Sequence, residues 1–424
     1  MTPAINPGDT AWVLVCTALV LFMTPGLALF YAGMVRTKNV LTMLIQNMVC
    51  IAVVSVTWVL VGYSLAFGPD VGGGLLGNLR FAGFAHPGEA VPGLPGLTVP
   101  PLAFAAFQMM FAVITTALIT GAIADRVRFG SFVVFAAAWS VLVYAPLAHW
   151  SFSADGWLAR LGALDFAGGT VVEIASGAAG LAIALVVGAR RDWPHDSMRP
   201  HSLPLTMVGA GILWFGWFGF NAGSALAANG LAVQALVNTH MAGVGGLVAW
   251  IGTERLRSGH ATTLGAASGA VAGLVAITPA AGYVGTLPAL LIGLVAGGTC
   301  VHAVAGKFRF GYDDSLDVFG VHGVGGVVGT LMVGLFAEPA VNAAITHRGL
   351  LLGGGAGQLG RQALAVLAAG TFSFVGSYLL ARLVQVTIGL RVTADEENEG
   401  LDMSLHAETA YESGTLRTFG RIGA

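Results

Sequence analysis

The sequence predicts an all-α polytopic membrane protein of eleven transmembrane helices, on three observations: a scarcity of charge, apolar runs of spanning length, and a one-sided distribution of basic residues. Of 424 residues, 56% are hydrophobic and 9% charged, and the mean hydropathy is +0.80. A soluble domain carries about a quarter of its residues as Asp, Glu, Lys and Arg, so this chain could not solvate a surface of its own. In hydrocarbon every backbone polar group must be satisfied internally, which leaves helices or a closed barrel. Continuous apolar runs of about 20 residues select helices.

The apolar runs between polar punctuation place spans at 10–33, 41–67, 101–123, 130–152, 166–189, 203–224, 228–251, 263–282, 286–305, 317–337 and 358–388. Eleven is odd, so the termini lie on opposite sides, and the excess of Lys and Arg marks the inside. With the N-terminus outside, only Arg80, Arg160, Arg348 and Arg361 of the 19 basic residues fall outside. Every inner loop contributes to the remainder, from Arg36 and Lys38 to Arg417 and Arg421, so the expected topology is N-out, C-in. Met1 to Thr10 lack the charged region and small-residue cleavage site of a secretory signal, and residues 10–33 are expected to stay as the first helix.

A membrane domain over 1–388 and a polar cytoplasmic tail over 389–424 are therefore expected, with the Gly- and Pro-rich segment 68–100 as the longest outer loop. The 62 glycines suit the close backbone approach that helix interfaces in lipid use. Cys16, Cys50 and Cys300 all fall within spans, without metal-site spacing, and read as small buried hydrophobes. No metal, cofactor or enzymatic chemistry is indicated, and no basic cluster points to nucleic acid.

Comparing helices five apart exposes an internal repeat. Glu173-Ile-Ala-Ser-Gly177-Ala-Ala-Gly180 on helix five matches His322-Gly-Val-Gly-Gly326-Val-Val-Gly329 on helix ten. Phe30-Tyr-Ala-Gly33 followed by Asn39 matches Phe220-Asn-Ala-Gly223 followed by Asn229. Because five is odd, equivalent helices run in opposite directions, and two inverted five-helix halves plus a final helix follow. A pore is expected between the halves.

Ionisable groups within spans are the functional candidates, because such groups are costly in lipid and face a cavity or a partner. Asp165 and Asp317 sit near span ends, where capping a helix is the more ordinary role. Glu173 and His322 lie deeper and at matching places in the repeat. Taken singly, a protonated core glutamic acid and a satisfied core imidazole compete evenly with a functional role. The aromatics Phe107, Phe111, Trp150, Phe152, Trp214, Trp217 and Phe220 form a second group, either core and interfacial belt or ring faces that hold a small cation.

Several of these motifs resemble those of the ammonium transporter family, which includes methylammonium permeases and Rhesus proteins. The likeness runs through Thr17–Gly26 with Phe30-Tyr31, Gly162-Ala-Leu-Asp165-Phe-Ala-Gly-Gly-Thr-Val172, Gly216–Ser224, Asp317-Val-Phe-Gly-Val-His-Gly323, Gly389-Leu-Arg-Val392 and Glu399-Gly-Leu-Asp402. The resemblance implies a homotrimer in the cell's inner (plasma) membrane, each subunit with its own pore for ammonium or ammonia and methylammonium as an analogue. It implies that Phe111 and Phe220 form a phenyl gate with Phe107 beside it. Ser224 and Trp217 would belong to the outer vestibule, the serine hydroxyl accepting a hydrogen bond from ammonium. Asp165 would support recruitment without holding the ion, and His322 would be the second of two pore histidines. Two departures stand out: Glu173 replaces the first pore histidine, as in some fungal members, and Phe152 replaces a vestibule tryptophan, with Trp150 as a partial substitute. The implied path is recruitment, deprotonation, passage of ammonia and proton transfer through the Glu173/His322 pair. Regulation by a PII signalling protein at the tail is also implied. An ammonium sensor signalling through its tail and a Rhesus-type gas channel are the alternatives; the lack of an appended signalling domain after helix eleven counts against the sensor.

Overall fold

The computed structural model describes residues 4–191, 193–195 and 198–411. Arg417 and Arg421, and the tail beyond Tyr411, lie outside the described residues. Eleven apolar helices follow in chain order: α1 (Pro7–Met34), α2 (Thr37–Phe67), α3 (Pro101–Ile123), α4 (129–152), α5 (Gly169–Val187), α6 (Leu203–Gly223), α7 (Gly230–Ser258), α8 (Thr263–Ile277), α9 (Thr286–Phe310), α10 (Phe319–Phe336) and α11 (Gly357–Thr387). Two short helices close the described chain, α12 (Ala394–Glu399) and α13 (Leu401–His406). Ten of the eleven are long and apolar enough to cross a bilayer, whereas α8 has 15 residues. The expected eighth span, 263–282, is cut short just past Ile277: Thr278 keeps helical dihedrals, but Pro279 has no N–H with which to continue the ladder. Residues 278–283 continue as turns, and the Pro279 carbonyl accepts from Phe166 N instead.

The halves meet along glycine. The α1 and α6 helices lie against each other where Gly26 faces Ile212, Gly33 faces Thr206 and Gly209 faces Phe30. A Cβ on Gly33 would sit 2.6 Å from Thr206 N and 2.7 Å from Ser202 O. The α5 and α10 helices cross in the same manner, Gly177 against the backbone of Gly323 and Gly326 against Glu173 and Ile174. Both contacts join members of a repeat pair, as an inverted repeat requires near its pseudo-two-fold axis. The repeated asparagines also match: Asn229 caps α7 through Leu231 N and Ala232 N, and Asn39 stands at the same point before the main run of α2.

The face opposite the N-terminus is closed by an ion-pair network that holds the tail. Arg190 binds Asp313 through Nε and Nη2, both at 2.9 Å, and Asp125 accepts from Arg36 Nε at 3.2 Å and Asn39 Nδ2 at 2.5 Å. Burial would lift the Asp313 carboxyl, but the bond from Arg190 and the charges of Arg126 and Arg190 hold it below the ordinary carboxylate range. The tail docks on this layer. Asn39 has no capping bond of its own to α2, and Asp402 supplies it from α13, accepting from Leu41 N (2.9 Å), Thr42 N (2.7 Å) and Thr42 Oγ1 (2.9 Å). Losing such a cap costs about 1–2 kcal/mol. Asp402→Ala should therefore release α12 and α13, seen as faster limited proteolysis after Leu390; unchanged cleavage would show that the cap does not hold the tail.

Candidate functional site

Each half delivers its ionisable residue by the same device. Asp165 accepts from Gly168 N (2.8 Å), Gly169 N (2.6 Å), Thr170 N (2.8 Å) and the Thr170 hydroxyl, satisfying the free donors at the head of α5. Asp314 accepts from Val318 N (3.0 Å) and Phe319 N (2.7 Å) and does the same for α10. Each helix then opens with a π-helical turn, Gly169–Ile174 and Phe319–Gly323, which carries Glu173 or His322. Such turns recur at functional sites because they displace a side chain from regular helical register. The capping expectation therefore holds for Asp165 and is corrected for Asp317. That residue has φ +66° and binds Lys307 Nζ at 2.5 Å, while Asp314 takes the cap.

Glu173 and His322 meet. His322 Nδ1 lies 2.8 Å from Glu173 Oε2, and both residues are buried. They line an internal cavity with Val172, Met23, Leu27 and Phe30 of α1, Ile114 and Leu118 of α3, Leu213, Trp217 and Phe220 of α6, and Val271 of α8. The lining helices are thus three repeat pairs, α1/α6, α3/α8 and α5/α10. The cavity is narrow, with room for about one water-sized molecule. Apolar walls surround one acid and one imidazole, a setting that excludes a hydrated cation but admits a small neutral molecule and a proton acceptor.

Two rings close the cavity towards the N-terminal face. Phe111 and Phe220 have centroids 4.3 Å apart at 34°, and Phe107 meets Phe111 edge-on at 4.9 Å. Phe107 also packs against Gly223, and so stands at the Ser224 end of α6. The spacing of these side chains is helical on both elements: Phe107, Phe111, Ile114 and Leu118 on α3, and Leu213, Trp217, Phe220 and Ser224 on α6. Trp217, expected at the vestibule, lines the cavity on the other side of Phe220, because it precedes that ring by one turn on α6. Its Nε1 donates to Thr278 Oγ1 at 2.9 Å, and the Thr278 hydroxyl donates onward to Leu274 O. Thr278 is a cavity partner that sequence reasoning missed; its position just before Pro279 was the available signal.

Beyond the rings, the Ser224 hydroxyl donates to Phe220 O at 2.8 Å. Its proton is thereby committed and its lone pairs remain free to accept. The Phe152 ring approaches Gly168, beside the Asp165 cap. Trp150 is engaged elsewhere: its Nε1 donates to Leu75 O at 2.9 Å, and its ring packs on Phe372 (4.7 Å) and Trp157 (5.6 Å). It has no indole N–H left to stand in for the one that Phe152 lacks. Trp214 lies on another side of α6, against His240 and Gly243.

The whole arrangement has known counterparts. A model of the Ammonium Transporter Family matches residues 11–411. An ammonium transporter of Mycobacterium tuberculosis (strain ATCC 25618 / H37Rv) is 50% identical over 430 residues, covering 96% of this chain and 90% of that relative. The crystal structure of Saccharomyces cerevisiae Mep2 is similar with a TM-score of 0.87 at 36% identity, covering 98% of this chain and 94% of that one. A structure described as a sensor Amt protein is similar with a TM-score of 0.86 at 31% identity, covering 94% of this chain and 98% of that one.

Proposed function

Because this chain belongs to the ammonium transporter family, a membrane transport family and not an enzyme family, we propose that it moves ammonium electrogenically, splitting it into ammonia and a proton that cross one pore together. The observation that carries this reading is the buried contact between Glu173 and His322 in the lining of a narrow, largely apolar cavity. A cation forced whole through that cavity would lose its hydration at a cost of several kcal/mol even after relaxation of the surroundings, on the order of the penalty for burying any single ion. Ammonia meets no such barrier.

Ammonium is held first outside the ring pair, by the Ser224 hydroxyl and the faces of Phe107 and Phe152, while the Asp165 carboxylate contributes its field from its position at the head of α5. There ammonium dissociates into ammonia, which passes Phe111 and Phe220, and a proton, which is handed inward to the Glu173–His322 pair. With His322 Nδ1 turned to Glu173, Nε2 is left for the permeating molecule. Glu173 holds or relays the proton. The N-terminal face is outside and the tail cytoplasmic, in the inner membrane, and three subunits assemble with one pore each. The docked tail is the surface for a PII protein; binding to inverted membranes with and without nucleotide tests that contact.

The transport reading is tested on purified protein in liposomes, by the current that follows an ammonium pulse with and without a pH gradient. A current that requires ammonium and is not suppressed by excess potassium supports it. Ammonia flux without charge would overturn it in favour of a gas channel. The same assay checks the vestibule. An indole gives a stronger cation–π surface than a phenyl ring, in an interaction worth about 0.5–1 kcal/mol at an exposed site, and adds a donor. Phe152→Trp should therefore lower the half-saturating ammonium concentration by about two- to fivefold and leave the maximal current within a factor of about two. An unchanged half-saturating concentration would remove Phe152 from the recruitment site.

A further inference from the structure

We propose that His149 and Asp70 form a proton-dependent clasp at the N-terminal face that positions the vestibule end of α4 for ammonium recruitment. The inference rests on the transport reading above for its effect on ammonium, but its geometry stands independently. His149 is fully buried in the last two turns of α4. Its Nδ1 lies 2.8 Å from Ala66 O, at the end of α2, and its Nε2 lies 3.1 Å from Asp70 Oδ1. Both partners are acceptors, whereas a neutral imidazole carries one N–H. A carbonyl oxygen can only accept, so Nδ1 must be protonated. The contact at Nε2 then needs a second proton, on the ring or on the carboxyl. The clasp as built therefore holds one proton more than a neutral histidine beside an ionised aspartate, and removing it sets two lone pairs against each other.

Asp70 is the carboxylate member. Burial works to raise its carboxyl, but the bonds from His149 and Gly74 N, with the charges of His149 and Arg160, hold it below its ordinary value. While the pair holds its second proton, the Nε2 contact is a charge-assisted bond. The nearest other charge is Arg160, 3.9 Å from Asp70 Oδ2. The elements packed around the clasp also carry Tyr63 on α2, Asp155 in the turn after α4, Asp165 just before α5, Glu173 on α5, and Arg361 on α11, whose Nε donates to Leu161 O. Asp165 is already occupied by its four donors.

The clasp is joined to the vestibule by a short path. Asp70 opens a two-stranded hairpin, β1 (Asp70–Val71) and β2 (Leu76–Gly77), and accepts from Gly74 N at 2.7 Å within it. Gly74 O accepts from Trp157 N at 3.1 Å, and Leu75 O accepts from Trp150 Nε1. The hairpin therefore grips the chain on either side of Phe152, at Trp150 in α4 and at Trp157 beyond its end. Ser151 and Thr170 bring their hydroxyls within 3.2 Å, linking the same turn to the head of α5 beside the Asp165 cap. Deprotonating the clasp frees the hairpin and loosens Phe152, while the cavity, the ring pair and the Glu173–His322 contact keep their own supports. His149 is accordingly a positioning residue, and its loss acts on recruitment, not on passage.

The test has two readouts on the full-length protein. One is hydrogen exchange of the hairpin 70–77 in detergent, corrected for the intrinsic effect of pH. The other is ammonium-evoked current in liposomes, with pH varied on the vestibule side and half-saturation expressed as ammonium ion. In the unaltered protein, alkaline pH should lower hairpin protection and raise the half-saturating concentration, each by about tenfold, the scale of one lost charge-assisted bond. Maximal current should hold. His149→Gln keeps an amide donor on Asp70 at every pH and should flatten both profiles. His149→Ala should show weak protection and high half-saturation throughout. The clasp is overturned if His149→Gln keeps the pH profile of the unaltered protein, or if hairpin protection does not vary with pH. A half-saturating concentration that stays flat while protection falls overturns the positioning role. Protection that behaves as expected in a protein without ammonium current upholds the clasp and overturns the transport reading instead.

Discussion

Glu173→Gln should reduce the ammonium-evoked current by about 100-fold, the scale of one lost acid–base group, while leaving the protein folded. The substitution keeps the volume and keeps an acceptor for His322 Nδ1 at the 2.8 Å contact, so the cavity retains its shape. What it removes is the capacity to hold a proton behind Phe111 and Phe220. Ammonia could still enter, but the proton would have no station opposite His322, and charge movement would fail. Glu173→His restores a titratable group and should return a current whose pH profile differs from that of the carboxyl–imidazole pair. The measurement is current on solid-supported membranes across pH, with potassium as competitor and the melting temperature of each variant as a check on folding. Currents unchanged in size, pH profile and selectivity in both variants would exclude Glu173 from proton handling.

That expectation came within reach from sequence because the repeat placed Glu173 and His322 at equivalent depths on opposed helices. Hydropathy also recovered most spans closely, for instance 41–67 against Thr37–Phe67 and 101–123 against Pro101–Ile123. Most of the failures are local and share a cause: they depend on which backbone donors are left free, and hydropathy does not record that. Asp317 was the conspicuous carboxylate before the tenth span, yet the donors at the head of α10 are met by Asp314, eight residues before His322 as Asp165 is eight before Glu173. Carrying the repeat back by that interval would have found it. The π-helical turns left no mark on hydropathy. Asp402 belonged to a recognisable motif, but its task, capping a helix some 360 residues earlier, appears only in three dimensions. Trp217 was assigned to the wrong side of Phe220, although the direction of α6 and the order Trp217, Phe220, Ser224 determine which is deeper.

The α5–α10 crossing gives the largest expected effect on folding. Regular helices with side chains pack about 8–10 Å apart; Gly177 and Gly323 let two backbones come nearer, and that approach brings Glu173 within bonding distance of His322. A Cβ on Gly177 would collide with the Cα and N of Gly323, which are backbone atoms and cannot rotate aside. Gly177→Ala should destabilise by about 1–3 kcal/mol, the range for overpacking a filled interior, and Gly177→Leu should prevent recovery of a folded protein. The damage from Ala should reach transport as well, since Gly323 follows His322 directly and any widening of the crossing lengthens the proton contact. Gly298 on α9 and Gly211 on α6 are the controls, because a Cβ at either meets nothing within 4 Å. Alanine there should be neutral or stabilising, by up to about 1 kcal/mol through helix propensity alone. Melting temperature in detergent and ammonium current separate the cases. If Gly177→Ala melted and transported like Gly298→Ala, the crossing would have slack, and the pairing of Glu173 with His322 would need some other constraint to hold it.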